Sequence, residues 1–559
     1  MNKYALLIFA ICFPFLLVAQ TDAKAEHLEV VFDKGFYVAG ENAWFSVFLD
    51  QSGHDTLSGL VHCELLSRSG EVLLYQQLKV ESGHCNGDFF IPPTWQEDYY
   101  LFRAYTVWNL NFSPQQIYTR YLPIFNIDEQ MIDDSTTISS NAQLLTKGTW
   151  QIDINTDQET YQRKDSISLT IKIQDENGLP IKTPVSLAVT QQGLVSNGLD
   201  NQLEPAAKAQ NLQFIKQYER EQAMSLRAEM FDVLSQQPMN ADFLAVYLVE
   251  TQEFQFSNAK NAKVEASLPD FYGMGSLQLY DRGAQKKYVP RITQIYPREF
   301  IQTTPDFPDA QPSRSASVMQ YLSAMASRRD FAELFGISQP IPVPERAAEK
   351  DNLTPDRSFV LKDYIPFKDM ETFIVEAMNT VKIESLHENQ KALSLLEEES
   401  NQRFLGPPMF LIDNYITFDP QKIFEVPWKE IERIELFTLN RNLGSTFGPL
   451  GFNGVFAVYT RRLEAPKTIL EDPHNLSYQG FYRPREFAQS LAVTNAETPE
   501  FRPQLYWNAK LIPDENGEVR ITFKHSDDLG NFRLRVMGFN GESSWGLQDA
   551  AYKVSFDGL

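Results

Sequence analysis

The chain has 559 residues, with Lys plus Arg 50 against Asp plus Glu 73, a formal net charge of −23. That balance makes the chain a poor candidate for binding nucleic-acid phosphate, which needs clustered cations, and it disfavours adhesion to anionic lipid by charge alone. A 13% aromatic and 22% charged composition describes a folded chain rather than acidic disorder, and three cysteines exclude a disulfide-dense scaffold or a multi-cysteine zinc array.

Residues 1–20 carry one charge, Lys3, ahead of an apolar run from Ala5 to Phe13 that Pro14 interrupts. This is the layout of a secretory signal peptide cleaved near Ala19 or Gln20. The run is too short and too broken for a spanning helix, and no later stretch reaches that length. Cys12 is a poor lipoprotein site, because Ile11 stands where a small residue is expected. The sequence therefore predicts an exported chain, periplasmic or associated with the outer membrane, with no transmembrane helix after cleavage. Its remaining cysteines are Cys63 and Cys85.

From Leu28, β-branched and aromatic residues alternate with polar ones between regularly spaced turns. Strands are predicted at 28–32, 43–49, 60–66, 72–80, 87–91 and 99–108, giving one antiparallel β-sandwich over 21–130. The chain then repeats itself 124 positions on: Asp33, Tyr37 and Glu41 before the strand at 44–49 match Asp157, Tyr161 and Asp165 before the strand at 168–173. An offset of one domain length predicts tandem sandwiches rather than a short-period solenoid. The second β domain is placed at 145–296, with 208–234 as a helical insertion, because Leu212, Ile215, Tyr218, Met224, Leu226 and Met230 fall roughly on one helical face. Prolines 305, 308, 312, 340, 342, 344 and 355 mark 297–360 as a linker carrying one helix near 317–335. A small α+β unit follows at 361–465. It has a helix at 370–378, strands at 380–384, 409–412, 434–437 and 455–460, a turn at Asp413-Asn414, a short helix from Pro427, and a loop punctuated by Gly444, Gly448, Gly451 and Gly454. Residues 466–559 read as a C-terminal β domain. The expected fold class is mostly β and multidomain.

Several of these segments resemble known families. The stretch Phe32–Leu49 is similar to the opening of a macroglobulin-like domain of the α2-macroglobulin superfamily. Tyr99–Phe112 and Pro503–Asn540 resemble the closing and terminal strands of secreted, Bacteroidetes-type members. The ordered series Ile412-Asp413-Asn414, Ile431-Glu432-Arg433-Ile434-Glu435-Leu436, Gly451-Phe452-Asn453-Gly454-Val455 and Thr460-Arg461 resembles the plug domain of TonB-dependent outer-membrane receptors, with Asn414 in place of the usual Gly. The departures matter. No cysteine follows Cys85, so the internal thioester of the trapping inhibitors cannot form. Only residues 463–559 follow the plug-like unit, too few for a receptor barrel.

No catalytic, cofactor-binding or metal-ligating set is assigned. His62-Cys63 and His84-Cys85 are adjacent pairs, whose side chains point to opposite faces of a strand and cannot easily meet one ion. Cys63 and Cys85 are the candidate disulfide, against two buried free thiols. The seven histidines (27, 54, 62, 84, 387, 474 and 525) sit in no nucleophile or zinc motif. The glycine loop lacks the Lys-Ser/Thr ending of a phosphate loop. Asp175–Gly178 and Asp514–Gly517 read as turns rather than calcium loops. Trp95, Trp108 and Trp507 are either partner anchors or core. The resemblances imply a noncatalytic binding or scaffold protein of the cell envelope, an accessory to an envelope partner such as an outer-membrane β-barrel complex. The alternative is a noncovalent protease inhibitor; a wall-polymer hydrolase ranks last.

Overall fold

The computed structural model describes residues 24–50, 56–112, 116–128, 148–194, 218–281, 288–293, 307–308, 311–335, 353–385, 390–462, 467, 471–472, 475–487, 500–541 and 544–556. The expected signal peptide, residues 208–217 of the expected helix and much of the proline-rich linker lie outside these.

The first frame is a sandwich of eight strands: β1 (Leu28–Phe32), β2 (Tyr37–Val38), β3 (Asn42–Leu49), β4 (Leu60–Leu66), β5 (Val72–Lys79), β6 (His84–Phe90), β7 (Asp98–Tyr105) and β8 (Tyr118–Phe125). Three form the sheet β1-β3-β6 and five the sheet β2-β8-β7-β4-β5. Alternate residues of facing strands, including Val30, Phe45, Val47, Val61, Phe102 and Ile124, close the core. Where the sequence extended the seventh strand to Trp108, a short 3-10 turn at Val107–Asn111 ends it instead.

A second frame begins with β9 (Gln151–Thr156), β10 (Thr160–Tyr161), β11 (Ser166–Gln174) and β12 (Val185–Gln191), and is then left unfinished. The chain builds β13 (Ser225–Asp232), β14 (Ala241–Leu248), β15 (Glu253–Lys260), β16 (Lys263–Ser267), β17 (Met274–Asp281) and β18 (Tyr288–Ile292) as a separate antiparallel sheet. The expected helix over 208–234 is thus corrected in its described half: 225–232 is a strand. Leu226, Ala228 and Met230 point inward at a period of two, and Leu226 and Met230, four apart, mimicked a helical face.

Helix α1 (Ala316–Leu334) follows, capped by Ser315. It matches the expected helix, but it is no free linker element: Val318, Tyr321 and Leu322 are buried against the first frame. The α+β unit comprises β19 (Arg357–Val360), α2 (Met370–Ala377), β20 (Val381–Ser385), β21 (Lys391–Glu397), β22 (Gln402–Arg403), β23 (Met409–Ile412), β24 (Tyr415–Thr417), α3 (Pro420–Glu425), β25 (Ile431–Phe437), α4 (Asn440–Thr446) and β26 (Val455–Thr460). Its main sheet runs β19-β25-β26-β23-β24. Phe410, Ile412, Phe456 and Val458 pack beneath α2 and α3. Met409, Leu411, Val455 and Ala457, on the other face, pack on Ala245, Tyr247 and Tyr280 of β14 and β17. Burial on both faces explains the unbroken apolar runs of β23 and β26. The short helix expected from Pro427 is a 3-10 turn at Trp428–Glu430, and the glycine loop holds α4 and a 3-10 turn at Gly448–Gly451.

The chain returns through β27 (Asn475–Gln479), which completes the seven-stranded sheet β18-β13-β16-β15-β14-β17-β27. It ends with β28 (Gln504–Leu511), β29 (Glu518–Lys524), β30 (Gly530–Phe539) and β31 (Trp545–Val554). These last strands are not a terminal domain of their own. They finish the second frame as β29-β11-β9 and β10-β31-β30-β12-β28, the same spatial order as the first. The second frame is therefore 151–191 with 504–554, and 225–292 belongs to the inserted sheet rather than to it. Both runs were legible as strands; their partners, more than 300 residues apart in the chain, were not. No helix among the described residues is long and apolar enough to cross a membrane.

Candidate interaction site

The repeated residues form one clamp, built twice. In the first frame the Tyr37 hydroxyl donates to Asp33 Oδ1 at 2.5 Å, the Trp44 amide donates to the same oxygen at 3.0 Å, and the Val38 amide donates to Glu41 at 2.8 Å. In the second, the Tyr161 hydroxyl and the Ser168 amide donate to Asp157 Oδ1 at 2.6 and 2.9 Å, and the Gln162 amide donates to Asp165 at 2.7 Å. Each clamp fixes the tight crossing by which the chain passes from one sheet to the other, so the acidic, aromatic repeat is a folding element.

The insertion is tied to the first frame by two straps. On entry, Asn111 exchanges hydrogen bonds with the backbone of Tyr218, Arg220 pairs with buried Glu26 at 3.0 Å, and Glu221 meets His62 at 2.9 Å. His62 also bonds Tyr75 at 2.8 Å and stacks between Tyr75 and Tyr105. Burial works to raise the Glu221 carboxyl, but the His62 hydrogen bond and charge hold it below its ordinary value. On exit, Arg485 forms an ion pair with fully buried Asp88, which also accepts from Tyr482 at 2.9 Å. His84 bonds Ser46 at 2.8 Å where the two frames meet, and burial lowers its pKa to about 3.

The structure carries Cys63 and Cys85 as two free, buried thiols rather than as the expected disulfide. They fill core positions on facing sheets. Strand register places Leu187 and Val519 at the equivalent positions of the second frame, since Cys63 pairs with Ala104 as Leu187 pairs with Val536, and Cys85 pairs with Val47 as Val519 pairs with Ile171. Burial pushes both thiols up. Trp108 lies under the Arg220 guanidinium at 4.1 Å, Trp507 is buried between the frames, and Trp95 stacks on Tyr100. Asp175 and Asp514 accept amides of their own turns, at 2.9 Å from Asn177 and 2.8 Å from Asn516. No group of three or more His, Cys, Asp or Glu positioned to hold a metal occurs among the described residues.

The α+β unit spends the polar residues of its turn motif internally as well. Asp413 and Asn414, with φ of 48° and 71°, form the turn between β23 and β24, a left-handed conformation that Asn tolerates. The Asp413 carboxylate accepts the Thr460 amide at 2.6 Å and its hydroxyl at 2.7 Å, pinning β23 to its parallel neighbour β26. Gly454, at φ 83°, makes the turn into β26. Among its exposed charged residues the unit also leaves apolar side chains uncovered. Leu405 is 106% exposed and Phe452 54%, flanking the close approach of Gly406 to Asn453, while Ile365 and Val375, before and on α2, are 78% and 70% exposed. Single exposed apolar residues are ordinary; Leu405 and Phe452, flanking one close approach, are the candidate contact point. Sequence reasoning held Phe452 only as part of a motif and missed the others, because exposure of a single apolar residue carries no pattern.

No protein-family model matches the chain, and no curated protein matches it in sequence. Among solved structures, the chain is similar to Salmonella alpha-2-macroglobulin reacted with methylamine, at 10% identity and a TM-score of 0.25, over 96% of this chain and 40% of that one. Escherichia coli alpha-2-macroglobulin activated by porcine elastase gives 10% identity and 0.25, over 95% and 44%. The Escherichia coli adhesin FdeC gives 10% and 0.14, over 48% and 98%. The chain spans less than half the length of these macroglobulins.

Proposed function

We propose that this chain is a noncatalytic binding and scaffold protein of the bacterial cell envelope, exported by its N-terminal signal. It would act as an accessory subunit on the periplasmic or outer-membrane side of a β-barrel complex. In this reading the two frames are macroglobulin-like domains of the Bacteroidetes-type secreted kind, and the α+β unit is a plug-like module without a barrel. The observation that carries the proposal is the insertion itself. One of two matching frames is opened to hold out a compact unit whose Asp413 and Gly454 serve its own folding and which exposes Leu405 and Phe452 side by side with its charged surface. In-cell crosslinking followed by affinity purification from membranes tests it. The expected result is crosslinks from Lys362, Lys368 and Lys382 of the unit to an envelope protein, weakened by Leu405→Asp with Phe452→Asp. Recovery only as a free soluble monomer overturns it.

A second reading, a noncovalent protease inhibitor, draws on the resemblance of Phe32–Leu49 and its repeat to macroglobulin-like domains. A protease panel giving neither inhibition nor a stable complex removes that reading.

A further inference from the structure

Helix α1 lies across both frames. On the first, Tyr321 is fully buried, its ring edge-on to Phe36 at 5.2 Å and its hydroxyl donating to Glu41 at 2.5 Å. Glu41 also pairs with Lys34 at 2.9 Å. Just before the helix, Arg314 forks onto Glu97. On the second frame, Arg328 donates to buried Asp528 at 2.7 Å, and Phe331 meets Phe501 at 5.7 Å. The helix thus adds a second bridge between two frames that also pack directly through Trp44, Phe48, Trp507 and Met537.

Asp33 lies beneath this contact. Its Oδ1 takes the two clamp hydrogen bonds; its Oδ2 is buried with no hydrogen-bond partner. Asp157 is an internal control. It makes the same two bonds in the second frame, and it is exposed. The charged and titratable groups facing the Asp33 cluster are Lys34, Tyr37 and Glu41 in its own turn, Arg120 on β8, and Tyr321 and Arg328 on α1. Lys34, the nearest cation, is already engaged by Glu41.

We propose that α1 is a detachable latch across the two frames, and that its hold weakens when the buried Asp33 carboxyl beneath it loses its proton. Ionisation adds a second negative charge beside Glu41 in a site that water does not reach, and lifting the helix restores that water. Burial holds the docked Asp33 carboxyl at about 6. Asp157, uncovered, sits below its ordinary value through its Tyr161 hydrogen bond. Docking therefore raises the pKa of Asp33. The contribution is complete below the ordinary carboxylate range and is lost as pH rises through about 6.

Hydrogen–deuterium exchange of the full chain, read in peptides from 316–334 and corrected for intrinsic rates, tests this at about pH 5 and about pH 8. Protection of α1 should fall with rising pH, by up to about 100-fold for a gap of two pH units. Asp33→Asn should abolish the dependence, Tyr321→Phe should lower protection at both pH values while keeping the slope, and Asp157→Asn should change nothing in α1. Equal protection of the wild-type helix at both pH values overturns the latch, as does a slope that survives in Asp33→Asn.

Discussion

The two frames share one topology and differ in what covers them. In β3 of the first frame nearly every residue is buried, whereas in its counterpart β11 buried and exposed residues alternate. The inward residues correspond: Phe45 and Val47 against Leu169 and Ile171. The outward ones do not. Trp44 and Phe48 pack against Trp507, Met537 and Phe539 of the second frame, while Ser168 and Lys172, at the matching register, face away from any such layer. The three-stranded sheet of the first frame docks on the five-stranded sheet of the second, and the three-stranded sheet of the second turns polar residues outward. A face that joins another module is apolar, and one that meets water is polar. The other difference is continuity. The first frame turns from β4 to β5 through residues 67–71; at the same place the second frame admits everything from 192 to 503. An exposed hairpin tip is where insertion perturbs least, and the entropy of closing a longer loop grows only slowly with its length.

The largest expected contrast is at the exit strap. Asp88 occupies the register position that Thr522 holds in the second frame, opposite Trp44 and Ser168 respectively. Arg485→Ala strands a fully buried carboxylate and should cost about 3–5 kcal/mol by denaturant unfolding. Thr522→Ala, at an exposed site, should stay within about 0.5 kcal/mol. Similar losses from the two would break the idea that the frames differ by what lies over them. The core comparison comes next. Leu187→Ala removes three buried heavy atoms and should cost about 3 kcal/mol, whereas Cys63→Ala, at the same place in the first frame, removes one and should cost about 1 kcal/mol. Equal costs would mean that the register equivalence does not extend to packing.

Local structure was legible where one periodicity dominated. Strands 28–32 and 60–66 fall where alternation placed them, and the helices near 317–335 and 370–378 fall within a residue or two. The repeat at Asp33 and Asp157 was visible because the clamp needs the same side chains twice. What could not be read was pairing. Nothing in Val185–Gln191 states that its neighbours begin at Gln504 and Gly530, since an apolar strand accepts any partner that offers an apolar face and free backbone groups. The straps were equally silent: Arg220, Glu221 and Arg485 look like ordinary surface charges until Glu26, His62 and Asp88 are brought beneath them.

The smallest expected effects are those of the two clamp aspartates, and their signs are opposite. Asp33 is raised by burial from 3.8 to about 6, so the first frame holds this contribution fully below about pH 4 and gives it up as pH rises through 6. Asp157 is lowered, by the Tyr161 hydroxyl first and the Ser168 amide after it, so the second frame keeps its contribution at neutral pH and loses it as pH falls below the ordinary carboxylate range. Asn at position 33 cannot ionise, and its oxygen still accepts from Tyr37 and Trp44. Its amide nitrogen, however, enters the place where Oδ2 has no partner, which offsets much of the gain. Asp33→Asn should therefore stabilise the protein by about 1 kcal/mol at alkaline pH and not in acid. Asp157→Asn should weaken it slightly at neutral pH, with the penalty vanishing in acid; at an exposed site solvent screening keeps that effect below the first. Denaturant midpoints across pH for the two variants would cross if burial alone separates the clamps. Parallel curves would mean that the helix over Asp33 does not set its charge.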